Sequence, residues 1–137
     1  YIRVSKSENA LANQIVDDAL RNLGVSYKTG GTTKTGMDCS GLVFSTFGNY
    51  DIKLPRTSID MAKEGEMMST KEAQPGDLIF FKTNGKTVVN HVGIIVEVLP
   101  NEIKFIHSST QKGVIVSSTS DAYYGKTFAQ INRVLEY

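Results

Sequence analysis

The feature that most constrains this chain is a change of hydrophobic period at Gln74-Pro75-Gly76. Before that turn, apolar residues recur at helical spacing. After it they come in short runs rich in Ile, Val and Phe, at 77–82, 91–98, 103–107, 113–117 and 128–135. Side chains return to one face every 3.6 residues on a helix and every two on a strand, so a chain that segregates both periods must put helices against a sheet. Runs that follow one another at hairpin-like spacing pair antiparallel. The expected fold class is therefore α+β, with N-terminal helices packed on one side of a C-terminal antiparallel β-sheet. A length of 137 residues makes this one domain, 1–137, able to bury about two-thirds of its unfolded surface without a disulfide or metal staple.

In the first half, residues 5–23 read as an amphipathic helix. Ser5 and Glu8 fit a capping box, Leu11, Ile15, Ala19 and Leu23 recur at spacing four, and Gly24 stops it. Residues 25–37 are too rich in Gly and Thr for a regular element and are expected as an ordered loop beside a site. Leu42, Val43 and Phe47 form the buried face of a helix that starts near Asp38 or Cys39 and stops at Gly48-Asn49. Leu54-Pro55-Arg56-Thr57-Ser58 leads into a short third helix, capped by Thr57 or Ser58 and ending near Gly65.

Charge and composition remove several classes of function. Fifteen basic residues against fourteen acidic ones leave a net charge of +1, too weak a field to draw the chain onto nucleic acid or an anionic membrane. The longest apolar run, Val92 to Val96, falls far short of the roughly 20 residues that span a bilayer, so no transmembrane segment is expected. Tyr1 is not preceded by a charged-then-apolar leader, and any targeting segment is expected to have been removed. A single cysteine excludes an internal disulfide, and two histidines with it fall short of a four-ligand zinc site; no metal or cofactor is expected.

That cysteine, Cys39, lies in Met37-Asp38-Cys39-Ser40-Gly41-Leu42 at a helix N-terminus, where unpaired N–H groups and the dipole lower a thiol's pKa. Free cysteines are often core residues, but polar Asp38 and Ser40 on either side favour a nucleophile. His91 opens a strand where a loop ends, the edge position suited to a general base, although alone it reads as a surface histidine. His107 lies on the next run. A turn at Leu99-Pro100 with a register that pairs residue numbers summing to 198 sets His107 directly opposite His91, with Cβ atoms about 5 Å apart, and a one-residue slip would separate them. Nucleophile, base and orienter then account for the only Cys and both His of the chain.

Six strings in order, Gly24-Val25-Ser26-Tyr27-Lys28-Thr29-Gly30-Gly31, Gly36-Met37-Asp38-Cys39-Ser40-Gly41-Leu42-Val43, Leu54-Pro55-Arg56-Thr57-Ser58, Gln74-Pro75-Gly76-Asp77-Leu78-Ile79-Phe80-Phe81, His91-Val92-Gly93-Ile94 and Phe105-Ile106-His107, resemble the NlpC family of bacterial cell-wall cysteine endopeptidases. The resemblance runs almost end to end and implies a papain-like fold. It implies Cys39 as nucleophile, His91 as base and His107 as third member, with Tyr27 and the Cys39 N–H supporting the oxyanion. It further implies that Asp38, Ser40 and Arg56 face the substrate; the plainer alternatives are a helix cap, a first-turn residue and a solvated arginine. Asp77 and Gly76 read as structural.

Two features depart from the family pattern: a long segment between His91 and His107, and Tyr123-Tyr124 where an aromatic pair including Trp is common. The implied activity is hydrolysis of peptidoglycan stem peptides, typically between D-γ-glutamyl and a diamino acid, by an exported protein acting as a monomer. A catalytically idle muropeptide-binding domain and a thiol acyltransferase or amidase on the same fold are the competing readings.

Overall fold

Helix α1 (Ala10–Leu20) begins where the Asn9 side chain accepts the backbone N–H groups of Leu11 and Ala12, at 2.9 and 3.2 Å. These are two of the donors that a helix start leaves without partners. The computed structural model describes residues 9–135, so the Ser5–Glu8 capping box lies outside the described residues. The buried stripe of α1 is Ala12, Ile15, Val16 and Ala19, whereas Leu11 and Leu23 are exposed. A strict spacing of four drifts around a helix by about 40° per step, so Leu11 and Leu23 cannot share one buried face.

The loop at 25–37 holds an element that its composition concealed, a hairpin of β1 (Thr32–Thr33) with β2 (Gly36–Met37). Helix α2 (Cys39–Gly48) starts on the Asp38 cap and ends at Asn49, as its apolar spacing requires. Helix α3 (Ser58–Met61), capped by Thr57, stops at Ala62 and so falls short of Gly65. Then follow β3 (Glu66–Met68), β4 (Leu78–Phe81), β5 (His91–Leu99), β6 (Glu102–Ser109), β7 (Gly113–Ser118), the helix α4 (Ala122–Thr127) and β8 (Phe128–Arg133). Strand β3 and helix α4 were not legible in the apolar pattern. The sheet order is β3-β8-β4-β5-β6-β7, every pairing antiparallel.

Helices α1 and α2 cover one face of this sheet, packing Ile15, Val16, Leu42, Val43 and Phe47 on Leu78, Phe80, Val92, Ile94 and Ile106. The other face is also dry: Ile79, Phe81, Ile95, Phe105 and Ile131 pack together beneath Tyr124 and Phe128. Strand β4 is accordingly buried at all four positions, as an unbroken Leu-Ile-Phe-Phe run requires.

The β5–β6 register corrects the expectation of directly opposed histidines. The turn falls at Pro100-Asn101, with Leu99 paired to Glu102, and the extra length between the histidines lies in the strands. Carried on unbroken, that pairing would put His107 opposite Ile94, whose side chain points away from His91's face. A bulge between Ile95 and Glu97 takes out one residue and pairs Ile94 with Ile106, so that Gly93 stands opposite His107. His91 and His107 are then diagonal neighbours on one face, separations of about 7–8 Å that long side chains bridge. A Cβ at Gly93 would come within 3.2 Å of the His107 Cβ and 2.7 Å of the Ile106 carbonyl oxygen; without one, that position stays open.

Gly41, in the first turn of α2, carries a different constraint: a Cβ there would collide with the Gly31 carbonyl oxygen and stand 2.7 Å from Asp38 Oδ1. Gly41→Ala is expected to cost about 1–3 kcal/mol, the usual penalty for overpacking a rigid contact, read as a lower denaturant midpoint at unchanged slope. Unchanged stability would show that the 30–31 loop yields freely.

Candidate active site

Asp38 fixes where α2 begins, and hence where Cys39 stands. One carboxylate oxygen accepts the Gly41 N–H at 2.7 Å and the other accepts the Gly30 N–H at 2.7 Å, tying the helix start to the glycine loop. Arg56 donates to both oxygens, at 3.0 and 3.2 Å, and also to Ser40 Oγ at 2.7 Å. A carboxylate offers about four lone-pair sites, and all are used within the chain. The structure therefore gives Asp38 the cap's position, and Arg56, with its side chain 35% exposed, is an anchored arginine rather than a solvated one. Ser40 is buried, its hydroxyl oxygen held by Arg56.

The Cys39 sulfur packs against the helix-side core and reaches to 4.0 Å from the Asn90 carbonyl oxygen, one residue before His91. Asn90 is itself locked. Its side chain accepts from the Thr83 N–H and hydroxyl (2.8 and 3.0 Å) and donates to the Thr83 carbonyl (3.1 Å), closing the loop that delivers β5. From β6, buried Ser108 donates to the Met37 carbonyl at 2.7 Å and holds the strand against the segment before Cys39.

On the aromatic face, His91 Nε2 lies 2.8 Å from His107 Nδ1, and His107 Nε2 lies 2.7 Å from Ser117 Oγ on β7. Phe81 stacks near His91 (5.9 Å between ring centroids), while Phe105 and Tyr124 flank His107 at 4.8 and 5.1 Å. Nε2 of His91 is taken by His107, which leaves Nδ1 as its other ring nitrogen. Ser117 and Tyr124 were missed in the sequence. Ser117 has no signal other than lying two positions beyond the residue paired with His107, Ile115. Tyr124 stood in the aromatic pair noted above.

The helix N-terminus was expected to lower the Cys39 thiol. Burial outweighs it: desolvation pushes the thiol above its ordinary value, opposed by hydrogen bonding from backbone N–H groups of Val92 and Ser40. Burial lowers His91 to about 4 and, with the neighbouring charge of His91, lowers His107 to about 3. Thiol and imidazoles thus rest neutral. Tyr27 is raised, first by burial and then by the charges of Cys39 and Asp38, which places its phenol within their field. A polar cavity of about 470 Å³ opens on the other side of His91, walled by Asn84, Lys112, Ser117, Asp121 and Tyr123. A larger hollow of about 600 Å³, at Leu99-Pro100-Asn101, holds neither the cysteine nor a histidine.

Residues 24–133 match the model of the NlpC/P60 family. The chain belongs to this family. It is 39% identical over 134 residues to the probable endopeptidase NlpC of Escherichia coli K12, covering 96% of this chain and 83% of that protein. Similarity at 36% over 124 residues extends to the murein DD-endopeptidase MepS/murein LD-carboxypeptidase of E. coli (90% and 63% covered) and to the gamma-DL-glutamyl hydrolase of Bacillus subtilis (88% and 29%). A crystal structure of an NlpC/P60 family protein from Bacillus cereus superposes with a TM-score of 0.82 at 27% identity, covering 98% of this chain and 42% of that one. The fold is thus the papain-like α+β fold of NlpC/P60 domains, and the chain spans under half of that solved protein.

Neutral burial of the histidines has a thermodynamic consequence. Unfolded, each ionises near 6.5, whereas in the fold protonation waits until about 4 or about 3, so the unfolded chain binds more protons in between and stability falls as pH drops through that window. Denaturant midpoints at about pH 7 and about pH 4.5 are expected to differ less in His107→Gln than in the wild type. An equal drop in both would mean that His107 is not held neutral.

Proposed function

We propose that this chain hydrolyses peptidoglycan stem peptides with Cys39 as nucleophile, His91 as general base and acid, and His107 as the orienting third member. The observation that carries the reading is that the thiol at the start of α2 reaches the Asn90 carbonyl, one residue before His91, whose imidazole is hydrogen-bonded to His107. Family membership and relatives named as endopeptidases support the coarser statement, a cell-wall endopeptidase.

The chemistry follows from neutral resting groups. His91 Nδ1 takes the thiol proton as sulfur attacks the amide carbon, and His91 Nε2–H donates to His107 Nδ1, spreading the new positive charge. The oxyanion forms at the N-terminus of α2, where the Cys39 N–H and the Tyr27 hydroxyl are the donors proposed for it. Collapse expels the amine, which takes the proton from His91 and leaves a thioester. Water, deprotonated by His91, cleaves the thioester, releases the carboxylic acid and restores the thiol. A base held near 4 at rest has a strongly acidic conjugate, suited to protonating a leaving amine.

For the substrate, Ser40 and Arg56 are proposed to meet the acyl side, with Asp38 holding Arg56 in place. The polar cavity beyond His91 offers room for the leaving fragment. The bond proposed is that between D-γ-glutamyl and the diamino acid, in keeping with the name of the Bacillus relative, and the site of action is outside the cytoplasm. Digestion of purified peptidoglycan with mass analysis of the products tests this, the expected fragments ending in a D-glutamyl γ-carboxylate. Cleavage at D-alanyl crosslinks would move the bond, and bound protein on uncut wall would make this a binding domain.

On a defined muropeptide, Cys39→Ala should abolish turnover and His91→Ala should cost about 100- to 10,000-fold in kcat. His107→Gln should retain more activity than His107→Ala, because only the former can still accept from His91. Equal losses in the two His107 variants would show that hydrogen bonding is not its contribution.

A further inference from the structure

The line of hydrogen bonds does not stop at His107, and its last member decides whether the line can carry charge. His107 is fully buried, so each ring nitrogen needs a partner within the fold. Once His91 has taken a proton, both of its nitrogens are donors, and His107 Nδ1 must accept from His91 Nε2 across their 2.8 Å separation. The proton of His107 is then on Nε2, where the group in reach is the Ser117 hydroxyl oxygen at 2.7 Å. With no acceptor there, a buried N–H is left unsatisfied in the charged state. The alternative tautomer, with hydrogen on His107 Nδ1, would donate to His91 Nε2 and put the His91 hydrogen on Nδ1, the nitrogen proposed to take the thiol proton.

We infer that Ser117 is a positioning residue for the reaction: by accepting from His107 Nε2–H it selects the one tautomer of His107 that lets His91 receive a proton. The sheet supplies the geometry. In the β6–β7 register His107 pairs with Ile115 and Phe105 with Ser117, so Ser117 is the diagonal neighbour of His107 on the face where Phe105 and Tyr124 close around the ring. Ser117 also lines the polar cavity beside His91, but its part in the proton line runs through His107 to His91. This assignment rests on the proposed roles of Cys39, His91 and His107.

The test has one arm that needs turnover and one that does not. Ser117→Ala is expected to lower kcat about 10- to 100-fold, the scale seen when the outer partner that orients a ligating histidine is removed, with a smaller change in KM, while Ser117→Thr, which keeps the hydroxyl on a strand, restores kcat to within a few-fold. In long-range ¹⁵N–¹H spectra of histidine-labelled protein at neutral pH, His107 is expected as the Nε2–H tautomer in the wild type and in Ser117→Thr, and as a mixture or the Nδ1–H form in Ser117→Ala. An Nδ1–H pattern in the wild type, or a pattern that Ser117→Ala leaves unaltered, overturns the inference, as does a wild-type kcat in Ser117→Ala. A wild-type protein that cuts no muropeptide would fail the functional proposal alone, and the nitrogen pattern would still decide the place of Ser117.

Discussion

The interaction on which the site depends is the 2.8 Å hydrogen bond between His91 and His107, and it exists because one residue is left out of the β5–β6 ladder. A ladder running straight from Leu99–Glu102 would send the two side chains to opposite faces, since a shift of one residue inverts every position on a strand. The bulge between Ile95 and Glu97 restores their common face, and Gly93 leaves open the position opposite His107. From that pair, Ser117 extends the line on one side. On the other, the start of α2 brings Cys39 to the Asn90 carbonyl, beside His91 in the chain.

Burial gives this line its electrostatic character. Aromatic rings enclose the histidines and the core encloses most of the thiol, so each group is driven to its neutral form and the proton must move during attack. The charged pair of the site lies beside that line: Arg56 and Asp38 anchor one another at the start of α2, and the Asp38 charge adds to the burial that pushes the Cys39 thiol up. One polar network therefore sets position while another, uncharged at rest, is available for chemistry.

Much of this was legible in local sequence, and the exceptions have physical reasons. The start and stop of α2 depend on Asp38, Gly48 and Asn49, all within the helix or beside it, and they stand where the sequence puts them. The strands read as apolar runs, because burial on both faces demands continuous Ile, Val and Phe. Register was not legible: the pattern around Val96 is apolar whether or not a bulge is present, and the observed turn shifts the partner of His107 by three positions, of which the bulge takes back one. The bulge and the turn together displaced the pair by an even number of positions, so the shared face survived an incorrect pairing. Hairpin β1–β2 and helix α4 are too short for periodicity to announce. Ser117 is one serine among several, distinguished only by a neighbour ten residues away in the chain.

Cys39 and His91 rest as a neutral thiol and a neutral imidazole, and the chemistry proposed for them starts from that state. The alkylation rate of Cys39 by iodoacetamide against pH, in the native protein without substrate, measures this directly. Neutral resting groups give a single inflection at or above the free-thiol value of about 8.5, with little reaction at about pH 6. A fast, pH-independent plateau reaching down to about pH 5 would reveal a thiolate–imidazolium pair already formed and would contradict that resting state.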